Sequence, residues 1–166
     1  MSTNQLKVEA NGGELILTRQ FSAPRSKVFQ AHTDCSHLQH WWGPREWPLT
    51  YCKIDFRVGG KWHFCMSGPD GVESWGMVIY KEIKESELIV YEDHFSDKDG
   101  NLNQDLPSTI VRTEFLEKDG KTIIKSTAQY ASPEDLQKVL DMGMETGVAE
   151  TFDRLEEYLV TTKSTV

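Results

Sequence analysis

The segment from Ser132 to Val160, SPEDLQKVLDMGMETGVAETFDRLEEYLV, constrains the fold more than any other stretch of this chain. It carries the longest unbroken helical pattern in the sequence. Ser132 is placed to cap the first turn and Pro133 to occupy the first helical position, where its missing N–H removes no bond. Glu134 and Asp135 follow at the positive end of the helix dipole. At 100° per residue, Leu136, Leu140, Met144, Gly147, Val148, Thr151, Leu155, Tyr158 and Leu159 cover about half the circumference. Lys138, Glu145, Asp153, Glu156 and Glu157 fill the other half, and Glu150–Arg154 is a favourable i,i+4 pair. One face must be buried against something. Two glycines interrupt the pattern, and each costs about 1 kcal/mol relative to Ala in a helix interior. Gly147 lies near the middle of the apolar face and Gly143 at its edge. Close backbone packing accounts for either; space left for a ligand is the second reading of Gly147.

The surface that covers this helix has to come from strands. Glu14 to Phe21 alternates Leu15, Leu17, Arg19 and Phe21 against Ile16, Thr18 and Gln20, which predicts a first strand. Ser22-Ala23-Pro24 opens a short helix through Val28, Phe29 and Thr33. Asp34 or Ser36 caps a second one carrying Leu38, Trp41 and Trp42, which Gly43-Pro44 stops. From Leu49 to Tyr130 the chain reads as six antiparallel strands joined by tight turns and one longer polar loop, Asp97 to Pro107. Residues 1–13 read as a loose arm, 14–160 as one domain and 161–166 as a tail. A chain of 166 residues is long enough for a real core.

Two hairpins suggest which sheet face the helix covers. A three-residue turn at Val58-Gly59-Gly60 pairs Phe56 with Trp62, Ile54 with Phe64 and Cys52 with Met66. That register puts Cys52 and Cys65 on opposite faces, against a bond between them. The next hairpin, turning at Pro69-Asp70, pairs Phe64 with Trp75 and Trp62 with Met77. One face then carries Trp62, Phe64, Met66, Trp75 and Met77. If Ile110, Ile124 and Ala128 also point inward, Arg112, Glu114 and Ser126 join them as polar groups in an apolar space. Either His94 or Phe95 faces in, depending on the turn before Leu88.

Composition narrows the function classes. Hydrophobic residues make up 38% and charged residues 27% of the chain, an ordinary globular balance. A net charge of −8 argues against nucleic acid or an anionic membrane as partner. No apolar run is long enough to insert in a membrane, and the start, MSTNQLKVEANGG, lacks the apolar core of a signal peptide. Cytoplasmic residence is the resulting expectation. The odd count of three cysteines, Cys35, Cys52 and Cys65, suggests no disulfide framework. No phosphate-binding loop, dinucleotide fingerprint, nucleophile elbow or zinc-protease motif occurs, so no cofactor is expected. His32, Cys35, His37 and His40 are metal-ligating types, but their spacing matches no zinc-finger pattern and no metal is expected. Arg112, Glu114 and His94 are of a type suited to acid–base work, or else to a structural polar network.

A family resemblance adds to these readings. Arg19 to Pro24, Val28 to Asp34 and Trp41-Trp42-Gly43-Pro44 resemble the amino-terminal motif of one branch of the START-like, birch-pollen-allergen-like proteins. Asp55 to Trp62 with Met66 and Pro69-Asp70-Gly71 resembles its central hairpins. Gly143-Met144, Gly147 and Glu150 through Leu159 resemble its closing helix. That branch is named for the carboxy-terminal domain of the activator of the 90-kDa heat-shock protein ATPase. The resemblance implies an α+β helix-grip fold, a curved antiparallel sheet with two short helices and one long C-terminal helix over it. It further implies a cavity between sheet and helix that takes an apolar small molecule without catalysis, with a stress response as one setting. The residues expected to line that cavity are Trp62, Phe64, Met66, Trp75, Met77, His94, Arg112, Glu114, Met144, Gly147 and Thr151. A 90-kDa heat-shock chaperone as partner is the alternative the family name implies. A cyclase- or hydrolase-type cavity enzyme is a further one, although the family offers no catalytic residues to carry over.

Overall fold

A computed structural model describes residues 5–163, with side chains through 161. Eight strands form one antiparallel sheet: β1 (Lys7–Asn11), β2 (Glu14–Phe21), β3 (Leu49–Ile54), β4 (Lys61–Ser67), β5 (Glu73–Lys84), β6 (Leu88–Phe95), β7 (Thr109–Lys118) and β8 (Lys121–Gln129). Their spatial order is β1-β2-β8-β7-β6-β5-β4-β3. Six consecutive strands, β3 to β8, thus pair as a meander, and the one non-local pairing brings β2 against β8. Two short helices, α1 (Arg25–Gln30) and α2 (Cys35–Leu38), sit between β2 and β3, and α3 (Pro133–Asp141) and α4 (Met144–Lys163) follow β8. The expected α+β helix-grip architecture is what forms.

The ends of the chain depart from expectation. Part of the supposed loose arm is strand β1, paired with β2 from Lys7↔Thr18 to Asn11↔Glu14. The supposed tail begins inside α4, which runs to Lys163. Residues 1–4 and 164–166 lie outside the described part.

The C-terminal helix is two helices rather than one. Ser132 caps α3 as its sequence predicts, with its hydroxyl accepting from the Asp135 N–H at 3.1 Å. The chain then turns at Met142 and Gly143, and Gly143 has φ +84°. A Cβ placed there would have nothing within 4 Å. Packing therefore does not explain this glycine. Its backbone conformation does, because an L side chain is strained at that φ and glycine is the usual residue at such a helix end.

The inward faces follow the two-residue period. On β2, Leu15, Leu17, Arg19 and Phe21 are buried, as the alternation predicts. Arg19 is a charged member of the core. Its guanidinium donates to the Phe152 carbonyl at 2.9 Å and to Asp153 at 3.0 Å, and lies 4.7 Å from the Phe21 ring. Desolvation lowers its pKa, and the neighbouring Asp153 and Glu156 work against that. These contacts tie β2 to α4. One core cluster centres on Phe21, Val28, Leu38, Trp41, Phe115, Ile124, Leu155 and Leu159. A second, smaller one centres on Leu15, Leu17, Val111, Ala128, Leu136 and Val139.

The cysteines correct another expectation. Cys35, at the start of α2, is bonded to Cys52 on β3, and Cys65 is buried and free. The sheet register excludes a Cys52–Cys65 bond but leaves Cys52 available to the helix that packs beyond the edge strand. The bridge fastens α2 to the edge of the sheet.

Candidate functional site

Between the inner face of the sheet and α3–α4 lies a cavity of about 820 Å³. Members of both core clusters line it. Its floor comes from alternate residues of β4 to β8: Trp62, Phe64, Gly76, Val78, Tyr80, Tyr91, Asp93, Val111, Thr113, Ser126 and Ala128. Its roof is Val139, Met142, Met144, Gly147, Val148, Thr151 and Phe152, and its mouth is bordered by Gly43, Pro44, Glu46 and Trp47.

The register of β4 and β5 decides which predicted residues reach it. Trp62 pairs with Val78, Phe64 with Gly76 and Cys65 with Trp75. The expected pairing was one residue out, and a one-residue slip turns every side chain of β5 to the other face. Phe64 needs the space above a glycine: a Cβ on Gly76 would come within 2.5 Å of its ring. The β3–β4 register is two residues out, with Ile54 opposite Trp62 and Cys52 opposite Phe64, so the faces there stay as expected.

Trp62, Phe64, Met66, Met144, Gly147 and Thr151 therefore line the cavity. Trp75 and His94 border it, but both lie in register with outward-facing partners. The Trp75 indole donates to Glu73 at 3.1 Å and meets Tyr51 and His63, while His94 Nε2 is 2.9 Å from a Glu92 oxygen. Met77, Arg112 and Glu114 do not line it. Strand β7 pairs Val111 with Ala128, Thr113 with Ser126 and Phe115 with Ile124. Burying Phe115 at 1% exposure turns Ile110, Arg112 and Glu114 outward, and Ile110 is 52% exposed. Arg112 and Glu114 face each other there at 3.9 Å.

Of the polar floor, sequence reasoning reached Ser126 but missed Tyr91, Asp93 and Thr113. Tyr91, Asp93 and Phe95 face in, a consequence of the Phe95 alternative for β6. The Tyr91 hydroxyl is hydrogen-bonded to Thr113, whose own hydroxyl is 3.0 Å from that of Ser126. Asp93 has no hydrogen-bond partner among the described residues, and desolvation pushes its pKa up from 3.8 to about 6, against a smaller opposing pull from His94. It is one of the residues that line the cavity. Burial also raises the phenols of Tyr91 and Tyr130, the latter to about 12. His32, on the short-helix side, is held neutral: desolvation lowers it to about 4, and its Nδ1 lies 2.9 Å from the Val28 carbonyl. Among the described residues lining the cavity, no side chain is Lys or Arg.

Near the mouth, Trp42, Trp62 and Phe64 meet largely edge to face, with ring centres 4.5–5.7 Å apart. The buried indole N–H groups of Trp42 and Trp62 have no hydrogen-bond partner among the described residues. The loop after them is tied to α4, with the Arg154 guanidinium donating to the Gly43 carbonyl at 2.7 Å and the Arg45 N–H to Glu150 at 3.2 Å. Among the described residues no group of His, Cys, Asp and Glu is arranged to hold a metal.

Gly147 sits where α4 passes this loop. An added Cβ would touch the Pro44 ring at 3.4 Å, an ordinary contact. Gly147→Ala should therefore raise stability by up to about 1 kcal/mol through helix propensity. Urea unfolding checks this; a loss of stability would mean that backbone contact at Pro44 requires the glycine.

A curved antiparallel sheet gripping a C-terminal helix, with a cavity between them, defines a START-like helix-grip protein. The sequence profile of one family, described as Activator of Hsp90 ATPase homolog 1-like protein, matches residues 22–160. The chain belongs to that family. A crystal structure of a Mycobacterium smegmatis protein is 34% identical, with TM-score 0.84 over 93% of this chain and 94% of that one. A solution structure from Arthrobacter aurescens is 27% identical, with TM-score 0.86 over 93% and 91%. One from Staphylococcus epidermidis is 29% identical, with TM-score 0.83 over 94% of each chain. No curated protein matches the chain. No helix among the described residues is long and apolar enough to cross a membrane.

Proposed function

We propose that this protein binds an apolar small molecule in the cavity beneath α4, as a cytoplasmic, non-catalytic carrier or sensor. The observation that carries the reading is the cavity itself. Its volume, about 820 Å³, is within the range of sites that enclose a drug-sized ligand. Most of its wall is aromatic or aliphatic, with a few convergent hydroxyls and the Asp93 carboxyl on the floor and Glu46 and Glu150 nearer the mouth. Cores normally close to crystal-like density, so a space this large calls for an occupant. The outward placement of Arg112 and Glu114 supports binding over acid–base chemistry in the cavity.

Native mass spectrometry of freshly purified protein, followed by tryptophan quenching with neutral aromatic probes such as 1-naphthylmethanol, tests the proposal. Bound small-molecule mass, or saturable quenching from Trp42 and Trp62, is expected. Absence of both up to millimolar probe would overturn it. Family membership favours a second reading, association with a 90-kDa heat-shock chaperone. Pull-down and ATPase measurements with the chaperone from the same cell test that reading, and no binding at micromolar concentration removes it.

A further inference from the structure

Asp93 narrows the ligand class. We infer that the cavity selects apolar molecules bearing a protonated amine, with the Asp93 carboxylate as the counter-ion at its floor. The inference rests on the cavity reading above.

Three observations support it together. The Asp93 carboxyl faces the cavity and has no hydrogen-bond partner among the described residues, although its neighbours Tyr91, Thr113 and Ser126 are bonded among themselves. A half-desolvated acceptor of this kind calls for a donor from outside the protein. The other charged lining residues do not supply a competing cation. Glu46 and Glu150 at the mouth are acidic, and no Lys or Arg lines the space. A carboxylate or phosphate ligand at the floor would meet the Asp93 carboxylate with no Lys or Arg in the lining to offset it. Finally, the walls near Asp93 are aromatic: Tyr91 and Tyr80 on the floor, Trp62 beside them and Tyr130 at the end of β8. Such faces attract an ammonium group and accept an apolar body.

The geometry also implies that affinity depends on pH. Of the groups facing Asp93, Tyr91 on its own strand and Tyr130 beyond β8 stay protonated at neutral pH, and His32 across the cavity stays neutral until about pH 4. Val78 on β5 and Thr109 and Val111 on β7 do not ionise. Glu46 on the mouth loop and Glu150 on α4 are the remaining carboxyls, and the His94 imidazole, next to Asp93 on the same strand and held by Glu92, exerts the smaller opposing pull on it. An amine therefore loses its counter-ion as Asp93 takes a proton, near pH 6 in the empty cavity.

Three probes of one shape separate this idea from simple apolar binding: 1-naphthylmethylamine, 1-naphthylmethanol and 1-naphthoic acid, titrated by tryptophan quenching and calorimetry. At pH 7.5 the amine should bind at least tenfold more tightly than the acid and more tightly than the alcohol. Its affinity should fall about tenfold between pH 7.5 and 5, while the alcohol's stays constant. Asp93→Asn should abolish the amine preference and the pH dependence but keep alcohol binding. The wild-type pH series needs no variant, so it decides the matter even if Asp93→Asn folds poorly. Alcohol binding without amine preference overturns the inference and leaves the cavity reading standing. No binding by any probe overturns both.

Discussion

Trp41→Ala should lower the unfolding free energy by about 4 kcal/mol and the midpoint of thermal unfolding by roughly 10 °C. Trp41 is fully buried, at 0% exposure, and sits where α2 ends. Its indole N–H donates to the Ala31 carbonyl at 3.0 Å, and its ring meets His32 and Trp42 edge to face. Truncation thus creates a void, leaves a buried carbonyl without its donor and loosens the ring stack at the cavity mouth. Few single changes remove so much at once. Trp42→Ala is the informative comparison, because Trp42 is only partly buried and its N–H has no partner to lose among the described residues. Chemical denaturation of both variants measures the effect. A Trp41→Ala loss below about 1.5 kcal/mol, or one no larger than that of Trp42→Ala, would mean that the α1–α2 corner is not part of the cooperative core.

Local pattern sufficed for the fold and for only half of the site. Strand β2, both short helices, the Ser132 cap and the six-strand meander follow from alternation, capping and turn chemistry, which act within a few residues. The β5 register does not. It depends on Phe64 settling over Gly76, a contact between strands with no trace in either strand's own alternation. That single residue of slip moved Met77 outward and brought Val78 in. On β7 both faces carry apolar residues, Ile110 on one and Val111 on the other, so only the demand to bury Phe115 settles the choice. Asp93 was hidden by the same ambiguity, since choosing Phe95 over His94 as the inward residue brings Asp93 with it. The Cys35–Cys52 bond joins elements whose mutual approach no periodicity encodes. Gly143 was misread for the opposite reason. The helical pattern continues through it, and only the backbone turn shows that two helices meet there.

Asp93→Asn should stabilise the empty protein at pH 7.5 by up to about 3 kcal/mol and make it more sensitive to acid. The sign follows from the direction of the shift. The folded-state pKa of Asp93 is raised from 3.8 to about 6, so the fold carries an unfavourable charge above pH 6 and gains stability as pH falls from 6 toward 3.8. His32 acts in the opposite sense. Its pKa is lowered from 6.5 to about 4, so the unfolded chain takes up a proton first and the fold loses about 3 kcal/mol between pH 6.5 and 4. In the wild type these two slopes nearly cancel. Removing Asp93 leaves the His32 slope exposed. Urea unfolding at steps from pH 7.5 to 4 should therefore show the variant's advantage shrinking toward zero, because a protonated Asp93 and an Asn differ little. The exposed carboxyls lowered by their partners, Glu92 and Glu157 among them, contribute alike to both proteins and drop out of the difference. A variant less stable than wild type at pH 7.5, or a difference independent of pH, would show that Asp93 is already compensated within the fold. If the difference appears as expected, the chain keeps a destabilising carboxylate at the floor of an open cavity. A charge retained against stability in this way is the pattern of a site shaped by what it binds rather than by folding.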